Sequence, residues 1–255
     1  YNTVLTLHTG DIVNNPYQDY QWQNSVAAFA RLPAGMRILT AQGNHDQLRK
    51  EDPHTPYLDN RPDTEFDPRH AFDPQGYVYY TTFTEGGVPF LVFSVSYGRE
   101  IDAADWINRV CAQYSDHYGV LCLHNYIDTA GYTSVGRRLV EKTVRQSPNI
   151  RLVVCGHAHG SVYKPETTDD DGDGVPDRTV QQMMFNVQDD PIDGRGFLRI
   201  LRFNPTADTI EVITYSPCLD KFGYEDRYGD GFGGHKLLED AGLRDFLTTG
   251  APQSN

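Results

Sequence analysis

Four short apolar runs in this chain each give way to a turn or directly to side chains of ligand type. Val4-Leu5-Thr6-Leu7 leads to Gly10-Asp11, and Met36-Arg37-Ile38-Leu39 leads to Gly43-Asn44-His45-Asp46. Gly119-Val120-Leu121-Cys122-Leu123 ends at His124, and Ile150 to Cys155 runs into Gly156-His157-Ala158-His159. Short apolar runs bounded by turn residues read as buried strands. In open α/β sheets, ligands bind beyond the carboxyl ends of such strands. The pattern therefore points to an α/β fold whose chemistry is gathered along one edge.

The segments between the runs support that reading. Asp19 to Leu32 has helical spacing, with Trp22, Val26, Phe29 and Ala30 on one face, and Pro33-Ala34-Gly35 ends it. The first two strands and this helix make a βαβ unit with a functional residue at each strand end. Leu48 to Gly76 lacks a clear period and reads as a long rim loop with room for a short helix. Tyr77 to Phe83 and Val88 to Val95 are strands joined at Glu85-Gly86-Gly87. Asp102 to Cys111 and Val135 to Arg145 are helices, the former with Trp106 and Val110 on one face. Beyond Gly160 the pattern is antiparallel β, with strands expected at 161–164, 180–187, 196–203 and 210–214. The tail after Pro217 is expected to be irregular until a short helical stretch at 236–247. The organisation expected is one domain over residues 1–217 followed by a C-terminal extension over 218–255.

Composition narrows the function. The net charge of -13 argues against a nucleic-acid scaffold, because phosphate neutralisation needs clustered Lys and Arg. It leaves small phosphate substrates open, nucleotides included, since metal ions can hold them. No apolar run is long enough to span a membrane. The four cysteines (Cys111, Cys122, Cys155 and Cys218) form no CxxC pair, so a zinc–thiolate site is not expected. Cys122 and Cys155 read as buried thiols, and a Cys111–Cys218 disulfide stays open. The chain enters its first strand almost at once after Tyr1, which reads as a processed or truncated start.

Asp11, Asn44, His45, His124, His157 and His159 all follow apolar runs, and five of the six are ordinary metal ligands. Oxygen and imidazole donors without thiolate suit Zn, Mn, Fe or Mg. A carboxylate such as Asp11 can bridge two ions. Two ions a few Å apart can clamp an in-line displacement at phosphorus. His45 is then the spare imidazole, suited to protonating a leaving oxygen. Each piece alone has a blander reading: a turn, a core-edge histidine, a hairpin. The combination in this order is specific.

Gly10-Asp11, Gly43-Asn44-His45-Asp46, His124 and Gly156-His157-Ala158-His159 together resemble the calcineurin-like metallophosphoesterase family, over about residues 1–217. The resemblance implies a four-layer α/β/β/α sandwich of two mixed sheets with helices outside. It implies a metal-dependent phosphoester hydrolase with a dinuclear centre and a bridging hydroxide nucleophile. Asp11 would bridge the ions. Asn44, His124 and His157 would complete one, and His159 would bind the other. His45 would be the general acid, steadied by Asp46. The family's first motif, an Asp followed two residues later by His or a substitute, is not found here. A preceding segment of the same protein is therefore expected to supply it. The later β run ending Thr214-Tyr215-Ser216-Pro217 is similar to secreted bacterial members, which implies a secreted or periplasmic location. The rival readings are a catalytically silent binding module of the same fold, and a phosphodiesterase or nucleotidase instead of a monoesterase.

Other residues stand beside this set. Arg49, Lys50, Tyr126 and Gln188 could touch a phosphate or its leaving group. His54, His70, His117 and His235 read as surface or rim residues. Asp169, Asp171, Asp173, Val175 and Asp177 match the oxygen pattern of a calcium loop, without the Glu expected at its twelfth position, which is Val180. The alternative for that stretch is a solvated acidic hairpin tip.

Overall fold

The computed structural model describes residues 3–48, 56–188, 193–223 and 234–248. Strands β1 (Leu5–His8) and β2 (Arg37–Thr40) pair in parallel, with His8 opposite Thr40. Helix α1 (Asp19–Phe29) joins them. Only Trp22 of its expected apolar face is buried, and Val26 is 43% exposed. Through Trp22 the helix joins a small satellite cluster with Val13 and Tyr57, separate from the main core. The Trp22 indole N–H donates to the Pro16 carbonyl at 3.0 Å, which satisfies its polar tip. The rim loop contains a short helix α2 (Pro56–Asn60) and a 3-10 turn at Pro68–His70.

The main sheet begins with the hairpin β3 (Val78–Glu85) and β4 (Val88–Val95). Gly86 and Gly87 both take positive φ (55° and 79°), as a two-residue turn matched to strand twist requires. Next come α3 (Ala104–Gln113), β5 (Tyr118–Leu123) and the small pair β6 (Ile127–Asp128) and β7 (Gly131–Tyr132). Helix α4 (Ser134–Leu139) is capped by the Thr133 hydroxyl and continues into a π-helical turn over Val140–Val144. It is followed by β8 (Ile150–Cys155), β9 (Gly160–Tyr163), β10 (Glu166–Thr168) and β11 (Arg178–Asn186). The sheet order is β10-β11-β8-β5-β4-β3, with β9 also on β11. Strands β4, β5, β8 and β11 are mutually parallel. The region after Gly160 is therefore not purely antiparallel. β11 lies parallel to β8 before the chain turns back.

One face of this sheet packs on α3 and α4 through Ile107, Val110, Leu139 and Val144 against Leu91, Phe93, Leu121 and Val153. The other face packs on a second layer of strands. That layer is β1–β2 together with β12 (Leu198–Asn204), β13 (Thr209–Ser216), β14 (Lys221–Phe222) and β15 (Lys236–Leu238). The protein is a mixed α/β fold of several sheets and few helices. Among the described residues the second layer is two pieces, a parallel pair and an antiparallel sheet, not one mixed sheet. The helix expected at 236–247 is instead β15 and a 3-10 turn at Arg244–Phe246. The edge of β13 takes Lys236–Leu238, and Leu238, Leu243 and Phe246 fill the core against Tyr118 and Phe90. All four cysteines are free, Cys111 buried and Cys218 exposed, so the Cys111–Cys218 bond is not made. No helix among the described residues is long and apolar enough to cross a membrane.

Candidate metal centre

The carboxyl ends of β1, β2, β5 and β8 meet at one edge. Backbone bonds tie the strand ends there: Ala41 N–H to His8 O (2.9 Å) within the β1–β2 pair, Gly156 N–H to His124 O (3.1 Å) within the main sheet, and Tyr97 N–H to Gln42 O (2.8 Å) between the two layers. The turn after β1 is left-handed at Gly10 (φ 101°) and at Asp11 (φ 56°), a strained setting for a non-glycine residue. It brings the Asp11 carboxylate against Gly43, where a Cβ would lie 2.1 Å from Asp11 Oδ1 and 2.3 Å from Asp11 N. Only glycine at 43 lets the two loops close this tightly.

Asp11, His124 and His157 offer ligand atoms within 4.8 Å of one another. His124 Nδ1 faces the Thr9 carbonyl at 2.7 Å. A carbonyl only accepts, so Nδ1 carries the proton and Nε2 of the neutral ring is a lone pair. That Nε2 lies 2.9 Å from Asn44 Oδ1, 3.4 Å from Asp11 Oδ2 and 3.1 Å from His157 Nδ1. An imidazole nitrogen, an amide oxygen and a carboxylate oxygen converging in this way suit a positive charge among them, as a proton on Nε2 or as a bound cation. The donor set and the tautomer-fixing carbonyl fit a divalent ion. Asp11 is held below the usual carboxylate range: burial opposes its charge, but His124 and the His45 N–H (2.9 Å) outweigh that. Burial and then the neighbouring His124 lower the His157 pKa, favouring the neutral form that binds metals. His157 is itself left-handed (φ 63°), with its carbonyl bound by the Asn186 amide at 3.1 Å. Burial holds His8 down to about 4, in keeping with its Nδ1 accepting from Gly10 N–H at 3.2 Å.

His159 lies outside the group formed by Asp11, His124 and His157, though near enough to bear on the His157 charge. Its Nε2 is 2.9 Å from the Gln188 amide nitrogen, so Gln188 meets the histidine. His45 Nδ1 faces the Asn14 carbonyl at 2.9 Å. Asp46 was expected to steady that ring, but its oxygens do other work. Oδ1 accepts from Val13 N–H (3.0 Å) and Oδ2 from Gly43 N–H (2.8 Å). The carboxyl is fully buried, and burial pushes it up to about 6 despite those two bonds. Asp46 shapes the loops, and the Asn14 carbonyl orients His45. Tyr126, expected near a phosphate, is instead buried, with its hydroxyl on Gln182. His70 stacks on Tyr80 at 4.7 Å, His117 pairs with Asp116 and His235 with Glu211. Arg49, Lys50 and His54 lie outside the described residues.

In the acidic loop, Asp169, Asp171 and Asp177 bring one oxygen each within 4.8 Å. Asp173 is not in that group. Its Oδ1 accepts from Val175 N–H at 2.7 Å, while Val175 itself is exposed. Asp170 turns the other way, onto the buried Arg178 at 2.6 Å.

An α/β protein with nitrogen and oxygen ligands gathered at the carboxyl ends of its strands belongs to the class of metal-binding α/β proteins that the sequence motifs indicate. A profile described as calcineurin-like phosphoesterase matches residues 1–161, and the chain belongs to that family. It is also 30% identical over 236 residues to YvnB of Bacillus subtilis (strain 168), described as an uncharacterized protein. The match covers 90% of this chain and 18% of that relative, so the chain spans under a fifth of the relative's length.

Proposed function

We propose that the chain hydrolyses a phosphate ester at a dinuclear divalent-metal centre. The observation that carries this reading is the convergence of Asp11, Asn44, His124 and His157 around one point, with His124 held in a ligand tautomer by Thr9. Asp11, Asn44, His124 and His157 would hold one ion, and Asp11 and His159 would contribute to the other. The ions would supply Lewis acidity at phosphorus and activation of water at neutral pH. His45 supplies the proton. Its Nδ1–H is directed at the Asn14 carbonyl, which leaves Nε2 to deliver a proton to the leaving oxygen. The His45 N–H also holds Asp11 Oδ1, so the acid and the bridging ligand are fixed by one residue.

The acidic loop is proposed to bind a calcium ion through Asp169, Asp171 and Asp177, with the Val175 backbone and Asp173 completing the pattern. Its short form suits the weak sites of extracellular modules, with Kd of about 10⁻⁴–10⁻³ M. That fits a secreted or periplasmic location.

The test is metal analysis of the purified chain combined with assays on aryl and alkyl mono- and diesters, with and without added Mn. Metal-dependent turnover supports the reading, and the preferred ester separates phosphatase from phosphodiesterase. Metal uptake without turnover of any ester would leave a binding module.

A further inference from the structure

The wall of the centre on the His124 and His157 side is an aromatic ring that the catalytic reading does not use. Tyr97 follows β4, the strand beside β5. Its ring centroid lies 5.7 Å from that of His124, edge to face at 80°, and 5.7 Å from that of His157 at 39°. The residue is half-buried. Its backbone is tied to the loop that carries Asn44. Tyr97 N–H donates to Gln42 O (2.8 Å), the Gln47 amide donates to Tyr97 O (2.8 Å), and Gln42 N–H donates to the Ser96 hydroxyl (3.1 Å). Two residues on, the Arg99 guanidinium sits 5.1 Å from the centre of the Tyr77 ring.

We propose that Tyr97 is a specificity residue that stacks the planar organic group of an aryl- or nucleobase-bearing phosphate ester whose phosphate lies at the metal centre. Rings on the two histidines are already packed against it, so the surface left for a ligand is the remaining part of a rigid, preorganised ring. Rigid aromatic area beside a polar anchor binds flat groups with little ordering cost. A small alkyl ester would engage the metal side alone. The proposal rests on the hydrolase reading only for the position of the phosphate.

The experiment measures calorimetric binding of phenylphosphonate and methylphosphonate, neither of which can be hydrolysed, to the Mn-loaded protein. Wild type should prefer the phenyl compound by roughly 5- to 100-fold, the range expected of one aromatic stacking partner. Tyr97→Phe should keep that preference, and Tyr97→Ala should bring it to within about twofold of unity with Mn content unchanged. The proposal is overturned if wild type shows no preference, if Tyr97→Ala retains it, or if Tyr97→Ala loses Mn, which would make Tyr97 a support for the histidines. Because wild type alone can show the preference absent, a variant that fails to fold does not shelter the idea. Phosphonate binding with this preference but no ester turnover would overturn the hydrolase reading and leave the stacking site standing.

Discussion

Asp46→Ala should unfold more easily than wild type even with every metal ion removed. The Asp46 carboxyl is fully buried and accepts two backbone N–H groups, from Val13 at 3.0 Å and Gly43 at 2.8 Å. Alanine leaves both donors without that acceptor. A buried donor left unpaired costs about 1–3 kcal/mol, so the loss should be about 2–6 kcal/mol. For a chain of this size each kcal/mol moves the melting point by roughly 2–4 °C, so a drop of at least ~4 °C is expected. Asp46→Asn keeps one acceptor oxygen and should fall between the two. The assay is urea unfolding in excess chelator, which removes the contribution of metal binding. Steadying of the His45 ring by Asp46 would predict a different pattern: unchanged stability, with loss confined to turnover. An Asp46→Ala stability within about 0.5 kcal/mol of wild type would refute the loop-closing role.

His45→Ala should keep its metal content, measured by elemental analysis, and lose about 10²–10⁴-fold in turnover of alkyl phosphates. An unchanged rate would remove His45 as the acid. Gly43→Ala should lose metal, since its Cβ would overlap Asp11, and wild-type occupancy in equilibrium dialysis would contradict the close approach. Arg178 is buried, pairs with Asp170 at 2.6 Å and donates to the Ile150 and Val144 carbonyls. Removing one partner of a buried pair costs about 3–5 kcal/mol, so Arg178→Ala should show a loss of that order in urea unfolding. Calcium should raise the melting point relative to chelator, by about 1.4 kcal/mol of stability at ten times Kd, and Asp169→Asn with Asp171→Asn should abolish the difference. Coinciding melts of the wild type would leave the loop a solvated tip.

What could be read from the sequence was what the chain encodes locally. A run of apolar residues followed by glycine and ligand-type side chains carries its meaning within a few positions. β1, β2, β5 and β8 and the residues at their ends were accordingly legible. Val26 is exposed: periodicity says which residues share a face and not how much partner that face will find. Here, among the described residues, the buried partner of the Trp22 face is only Val13 and Tyr57. Lys236–Leu238 is too short for any period to show. It is a strand because β13 offers it an edge.

The role of Asp46 was hidden for a related reason. Its place beside His45 in sequence suggests the neighbouring ring, yet one of its two donors comes from Val13, 33 positions away. The same holds for the groups that orient two of the histidines. Thr9 fixes the His124 tautomer across 115 positions, and Asn14 meets His45 across 31. These partners are backbone carbonyls, and any residue type supplies a carbonyl. A substitution at Thr9 or Asn14 that preserves the turn should therefore leave the ring orientations intact, whereas one at Gly43 or Asp46 should not. Residue identity at this centre is demanded where a side chain binds or where a Cβ would collide. Elsewhere the path of the backbone is what the site requires, and a single sequence leaves that path to be found in the structure.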